Sequence, residues 1–536
     1  MKNPVKIPLQ HTRSVNALIA DYLNKKSETE SFYSFYPSLD GFRKAIASPI
    51  KKTIPQSILS EILLKQHGLV KNSTKESEEN IRLLSKQNSF TITTGHQLCL
   101  NTGPLYFIYK IISVIRLSQI LKKEFPLTNF IPVFWLAGED HDFDEINHFN
   151  IYKKQLQWNI DAKGSVGHLN TNTLDAVFSD YQTLLGSTMH SDYLKSLFEN
   201  SYLKHDNLKD AARFLVNNLF GEYGLVIVDG DDLAFKEAAM HLFTHDIKEK
   251  ISHHEVQKTN EQLENLNYKV QVTPREINFF YASEQSRERI VYEDKKYRVL
   301  NTDKQFTDTE FFNHIADNPI NISPNVVTRP LYQQFLLPNL AYVGGAGELA
   351  YWLQYKTMFE KHDLFFPVLV PRDSFTLVEE KTALKMEKLN LSPENIFSNE
   401  IDLEKQVIQS LPQYFELTEE KLKLQLLYTE LKDKMKKFEP TLEGSVSAEL
   451  QTVLKGIDNL QSKINKAVKL KSDGALNQLK NVLDKLFPER ELQERTENFA
   501  QYYNEYGSDF FKVILTHSNP LDLSHKILIL SKNKPL

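Results

Sequence analysis

The chain has 536 residues, 41% hydrophobic and 25% charged, with 64 basic against 69 acidic side chains and a net charge of −5. That length predicts roughly two to four domains, and the charge balance gives no bulk electrostatic case for nucleic acid or an anionic membrane. A lone cysteine, Cys99, excludes an internal disulfide; with no apolar leader and no run of about 18 apolar residues, the expectation is a cytoplasmic chain without a membrane span.

Ser89–Thr94, rich in β-branched and aromatic residues, predicts a strand. A connection bounded by Gly95 and Gly103 follows, and Pro104 suits the first turn of a helix. Leu105, Ile108, Ile112, Ile115 and Ile120 then recur at helical spacing as far as Glu124. Asn129–Ala137 reads as a buried strand with an awkward Pro132 in its middle. Strand, helix, strand is a βαβ unit with parallel strands and a right-handed crossover. Residues 150–215 are mostly helical and polar in pattern. Gly224–Asp229 predicts a third strand ending in an acid, and Leu340–Val343 and Phe366–Val370 two more. Asn278–Ala282 and Arg289–Glu293 mark residues 268–315 as a small β-rich insertion. The expected fold is α/β, a doubly wound parallel sheet with two inserted elements.

Leu424, Tyr428, Leu431, Met435 and Phe438 step by four and three, and Pro440 and Gly444 interrupt the pattern. Val446, Leu450, Val453, Ile457, Leu460, Ile464 and Ala467 resume it, predicting two antiparallel helices with a coiled-coil seam. Such an arm leaves apolar surface exposed, and a homodimer through it would cover that surface. The aromatic-rich segment Phe499–Phe511 predicts a helix that packs back on the core.

The expected divisions are therefore core over 1–150, a helical insertion over 151–215, core over 216–267, the β-rich insertion over 268–315, core over 316–380, a helical coiled-coil domain over 381–486, and a return to the core over 487–536.

Ligands of open parallel sheets bind beyond the carboxyl ends of the strands. The first two strands end at Thr93-Thr94-Gly95-His96-Gln97 and at Gly138-Glu139-Asp140-His141-Asp142, so His96 is expected to face Glu139, Asp140, His141 and Asp142 across a crevice. A histidine there can donate to a phosphate, and acids can hold Mg²⁺ or an amine; the bland readings are a turn histidine and acids that start a helix. The spacing of Asp140, His141, Asp142, Asp144, Glu145 and His148 matches no closed zinc signature, so no protein-bound metal is expected. Gly344, Gly345 and Gly347 follow a strand, with Glu348 placed either at a ligand or as a helix cap. Arg329, between Thr328 and Pro330, is expected in extended backbone, as a carboxylate or phosphate clamp or in a surface ion pair. Arg372 follows another strand tip, and Cys99 reads as a small buried filler.

Thr93-Thr-Gly-His-Gln97, Gly138-Glu-Asp-His-Asp-Phe-Asp-Glu145, Ser323-Pro-Asn-Val-Val-Thr-Arg-Pro-Leu331 and Tyr342-Val-Gly-Gly-Ala-Gly-Glu348 occur in an order that resembles the cysteine-adding enzymes of bacillithiol biosynthesis, over essentially the whole chain. The resemblance implies a Rossmann-like core, connective-peptide insertions and a dimerising coiled coil, akin to class I nucleotidyltransferases. It implies a ligase that joins cysteine to glucosaminyl malate, with ATP, and Mg²⁺ accompanying it, for carboxyl activation. Thr94, Gly95, His96 and Gln97 would take the place of the phosphate-steadying His-x-Gly-His motif. His96 would stabilise phosphate charge, Asp140 or Asp142 would hold Mg²⁺ or the cysteine ammonium, His141 would act as base, and Arg329 or Arg372 would meet the malate carboxylates. Competing readings are a nucleotidyltransferase of other substrate, a non-catalytic nucleotide-binding sensor, and a metal hydrolase built on the Asp-His-Asp cluster.

Overall fold

The computed structural model describes residues 4–12, 14–50, 52–412 and 414–531. The strands that organise it are β1 (Val5–Pro8), β2 (Ser89–His96), β3 (Asn129–Leu136), β4 (Val226–Asp229), β5 (Asn339–Gly344), β6 (Val368–Pro371), β7 (Ser374–Glu379) and β8 (Ser524–Leu530). The central sheet has the order β6-β5-β2-β3-β4, parallel throughout. Read from its other edge, the chain moves outward from β2 through β3 to β4, then returns to the far side of β2 for β5 and β6. This is the doubly wound order, and its switch point lies between β2 and β5.

Side-chain alternation explains the two-sided burial. Phe130, Phe134 and Leu136 of β3 enter one hydrophobic cluster, while Ile131, Val133 and Trp135 enter the other, so each face of the sheet has its own core. Pro132 is tolerated in this central strand because pairing with β4 begins only at Val133. Helix α1 (Tyr106–Glu124) crosses from β2 to β3 and is buried on almost every face between Phe107 and Leu121. The apolar spacing predicts one stripe, yet the sheet covers one side of α1 and the C-terminal helix Asp509–His517 covers another.

The inserted elements also differ in detail from the sequence reading. The first opens with a hairpin, His148–Ile151 against Lys154–Gln157, before turning helical. The β-rich insertion contributes four strands to a five-stranded antiparallel sheet, and Ile322–Pro324 closes its edge. A third sheet, β1-β8-β7, brings both ends of the described chain together, with β8 antiparallel to β1 and parallel to β7. That sheet was not legible beforehand, because its strands are separated by hundreds of residues.

Helices α2 (Thr418–Phe438) and α3 (Glu443–Lys471) form the antiparallel arm, joined by a tight turn at Pro440–Leu442. No residue of α2 is buried, and Leu422, Leu426 and Leu427 are each more than half exposed. The arm stands on a small core that includes Met386, Leu403, Val407, Leu479 and Val482. No helix among the described residues is long and apolar enough to cross a membrane.

Candidate active site at the sheet switch point

A cavity of about 710 Å³ opens at the carboxyl ends of β2, β3, β5 and β6. Register sets its floor: Gly95 lies beside Trp135, His96 beside Leu136, and Gly344 beside Pro371, so the strand tips end at one level. Gly95, His96, Gln97, Asp140, His141, Arg329, Gly345, Gly347, Glu348 and Arg372 all line it. Thr94, Asp142 and Gly344 do not. Thr94 is fully buried within β2, Asp142 is exposed at the start of the one-turn helix Phe143–Ile146, and the Gly344 carbonyl accepts the backbone N–H of Arg372 at 2.9 Å.

Lys110 ties the switch point together. Its ammonium is buried and donates to the Gly95 carbonyl at 3.0 Å, and it lies 2.6 Å from Glu348 Oε2. The same carboxylate accepts the Gly345 N–H at 2.9 Å and the Tyr342 hydroxyl at 2.8 Å. Burial acts to raise Glu348, but Lys110 and the Gly345 N–H hold it below the usual carboxylate range. Glu348 thus caps its own helix and pairs with Lys110, and the Gly345 N–H is occupied. Gly347 is open: a Cβ there would meet nothing within 4 Å.

His96 packs against Tyr106 and Phe107, with ring centroids 5.3 and 5.2 Å away. Its Nδ1 lies 3.1 Å from the Gln97 carbonyl oxygen, which can only accept, so Nδ1 carries the proton and Nε2 is left as an acceptor. Burial, with Lys110 and Arg372 nearby, lowers its pKa to about 3. The opposite holds for His141, whose Nδ1 accepts from Arg287 Nη1 at 2.9 Å, placing the proton on Nε2. The hydrogen bonds therefore leave an acceptor nitrogen on His96, because a carbonyl occupies its N–H, and a donor N–H on His141, because a guanidinium occupies its other nitrogen. Cys99 lies 3.7 Å from His96 Nδ1, and burial pushes its thiol up to about 12, which suits a filler.

Across the cavity, Gln97 Nε2 donates to Asp140 Oδ2 at 2.9 Å and to Glu145 Oε2 at 2.8 Å, and the His141 N–H donates to Asp140 Oδ1 at 2.8 Å. Burial works to raise Asp140, yet hydrogen bonds from His141 and Gln97 and the charge of Arg287 hold it well below the usual range. The loop is gripped from outside by the first insertion. Val166 N–H donates to the Asp140 carbonyl at 2.7 Å, and a Cβ on Gly167 would lie 2.8 Å from the Gly138 oxygen. Among the described residues, no group of three or more His, Cys, Asp or Glu side chains is placed to hold a metal ion.

Arg329 is not extended. Asn325 Oδ1 accepts the N–H groups of Val327 and Thr328, winding the chain into the helix Arg329–Leu336 before Pro330, which then sits in the first turn. Its guanidinium donates to Gln333 at 3.0 Å. Arg372 donates to the buried Glu494 at 2.8 Å. Lys110, Arg287 and Glu494 were missed from sequence. A lone lysine inside the apolar run Phe107–Ile115 was the available signal for the first; nothing local marks the other two.

Two family models match this chain: the N-terminal Rossmann-like domain of bacillithiol biosynthesis BshC over residues 4–373, and its C-terminal coiled-coil domain over 375–530. The chain belongs to the bacillithiol biosynthesis BshC family. Relatives that carry the name "Putative cysteine ligase BshC" include one from Flavobacterium johnsoniae, 40% identical over 97% of this chain and 99% of that relative. Others are from Flavobacterium psychrophilum, 40% identical over 97% and 98%, and Bacillus cereus strain B4264, 28% identical over 95% and 97%. The two BshC domain matches meet at the Arg372–Glu494 contact, so the cavity lies against the domain junction.

That junction predicts a pH response. His525 is fully buried between Ser374 Oγ at 2.7 Å and Thr376 Oγ1 at 2.8 Å. Burial lowers its pKa to about 4, with Arg372 and Lys526 acting in the same direction and Glu494 opposing. Between pH 6.5 and 4 the unfolded chain holds this proton and the folded chain does not, so stability falls as pH drops, by about 1.4 kcal/mol per unit. Urea midpoints at pH 7.5 and 5 should differ less for His525→Gln than for the wild type; equal differences would contradict this.

Proposed function

We propose that this chain joins the carboxyl carbon of cysteine to the amine of glucosaminyl malate, with ATP and its accompanying Mg²⁺ for carboxyl activation. The observation that carries the reading is the division of the cavity into two charge regions at the switch point. Glu139, Asp140 and Glu145 gather on an acidic wall, where Arg287 is held at His141; Lys110, Arg329 and Arg372 gather on a cationic one, which also holds Glu348. An amino acid offers an ammonium to the first, while phosphates and malate carboxylates suit the second. Family membership and the names of the relatives support the same chemistry.

Transfer of a phosphoryl or adenylyl group from ATP to a carboxyl oxygen of cysteine, releasing ADP or pyrophosphate, would let that oxygen depart as phosphate or AMP when the amine attacks the carbon. The open Gly347 backbone and the cationic wall fit an anion of that kind. Asp140 keeps lone pairs beyond those used by Gln97 and His141, and these would hold the cysteine ammonium. His141 Nε2–H would donate to the carboxyl oxygen as it gains charge, and His96 Nε2 would accept a hydrogen bond from the attacking amine and orient its lone pair, the amine's proton leaving with the departing phosphate group. Chromatography of the nucleotide tests the scheme. ATP should be consumed in step with amide formation, and consumption that has no need for cysteine would contradict the ligase reading.

The exposed leucines of α2 support a homodimer through the arm. Light scattering should give twice 62.2 kDa and fall to the single mass in Leu426→Asp/Leu427→Asp; an unchanged mass in the variant would contradict dimerisation through this face. The reaction belongs in the cytoplasm, where ATP is supplied, and recovery of the chain outside that fraction would contradict this.

A further inference from the structure

Most cations of the cavity are already engaged. Lys110 is held by Glu348 and the Gly95 carbonyl, Arg287 by His141, Ser323 and Pro324, Arg329 by Gln333, and Arg372 by Glu494 and the Asp373 carbonyl. Arg495 lines the same cavity and, like the exposed Arg275, is different. Its side chain is 45% exposed, and among the described residues its ion-pair contact is with Glu491 at 4.0 Å, the outer edge of such a pair.

The backbone on both sides of Arg495 is fixed. Gln493 exchanges two hydrogen bonds with Leu377 of β7, at 2.8 and 3.1 Å. Glu494 is buried and accepts from Arg372, from Ser374 Oγ at 2.8 Å and from the Phe375 N–H at 3.2 Å. Downstream, the Glu497 carbonyl accepts the Leu105 N–H at 2.8 Å, and Asn498 donates to the Asn101 and Gly103 carbonyls at 2.7 and 2.6 Å. A rigid backbone thus presents a loosely held guanidinium at the cavity, beside Tyr106, which also carries Arg372 over its ring at 5.5 Å.

We propose that Arg495 is a specificity residue that binds an oxyanion of one substrate, so that the C-terminal domain supplies part of the active site as well as the arm. The oxyanion is a carboxylate of the acceptor or a phosphate of the nucleotide. This rests on the ligase reading for the identity of the substrates, but the presence of an anion site does not.

The test is Arg495→Ala and Arg495→Lys in the full chain, with each substrate varied in turn. The KM for either glucosaminyl malate or ATP should rise on the order of 10- to 100-fold in the alanine variant, the loss expected for one charge-assisted hydrogen bond. The KM for cysteine should stay within about two-fold, lysine should restore part of the loss, and the melting temperature should not move, as expected for a half-exposed side chain. Which KM moves names the source of the oxyanion. Calorimetry with malate and with Mg·ATP, each alone, separates this from the ligase reading, because it needs no turnover. A fall in affinity for one of them in Arg495→Ala sustains the proposal even if no amide forms. Equal affinities in wild type and variant, wild type that binds neither, or KM values that rise together for all three substrates would overturn it.

Discussion

Lys110→Met is expected to cost about 3–5 kcal/mol of stability, the range for breaking a buried ion pair by removing one partner, and to abolish turnover. The substitution keeps the volume of the side chain but leaves the half-buried Glu348, beside Tyr342, without its ion-pair partner. It also releases the Gly95 carbonyl at the tip of β2. The two strands that flank the switch point, β2 and β5, then lose the side chain that joins their ends. Denaturant melts of Lys110→Met, Glu348→Gln and the double variant would measure this. The double variant should recover on the order of 1–3 kcal/mol relative to the sum of the singles, as expected for two groups in direct contact, while remaining inactive. Additive losses would show that Lys110 and Glu348 do not act as a pair.

His96→Ala is expected to lower kcat by about 10²-fold, the order expected when a group that orients the reacting amine is lost, with little effect on folding. The imidazole is held by the Gln97 carbonyl and by two aromatic rings, and Lys110, which anchors the adjacent Gly95, does not depend on it. The pH profile makes the prediction specific. With its pKa down to about 3, free His96 is neutral throughout the working range, so kcat/KM should show no inflection near 6.5 that vanishes in His96→Ala. Such an inflection with activity lost as pH rises would mean that the protonated ring is the active form, and would return His96 to the role of donor.

The strand tips were legible from sequence because a doubly wound sheet turns hydrophobic runs and their polar ends into a site by topology alone. His96, Gln97, Asp140, His141, Glu348 and Arg372 reach the cavity for that reason. What stayed hidden depends on tertiary contacts. The proton positions on His96 and His141 are set by a carbonyl one residue away and by an arginine from an insertion. Arg329 looked extended because proline follows it, but Asn325 turns the chain first. Asp142 looked equivalent to Asp140, but it begins the helix Phe143–Ile146 and is exposed outside the cavity. Glu494 and Arg495 lie more than a hundred residues from the strand they serve, in a segment whose local pattern is that of an ordinary polar turn.

Mass spectrometry of reactions containing the purified chain, cysteine, glucosaminyl malate and Mg·ATP, with each component omitted in turn, tests the central claim most directly. Bacillithiol should appear in the complete mixture alone, and should be lost again in the complete mixture with Lys110→Met or His96→Ala. Folded wild-type protein that forms no bacillithiol, or His96→Ala that forms it at the wild-type rate, would contradict the assignment of this cavity as the ligase site.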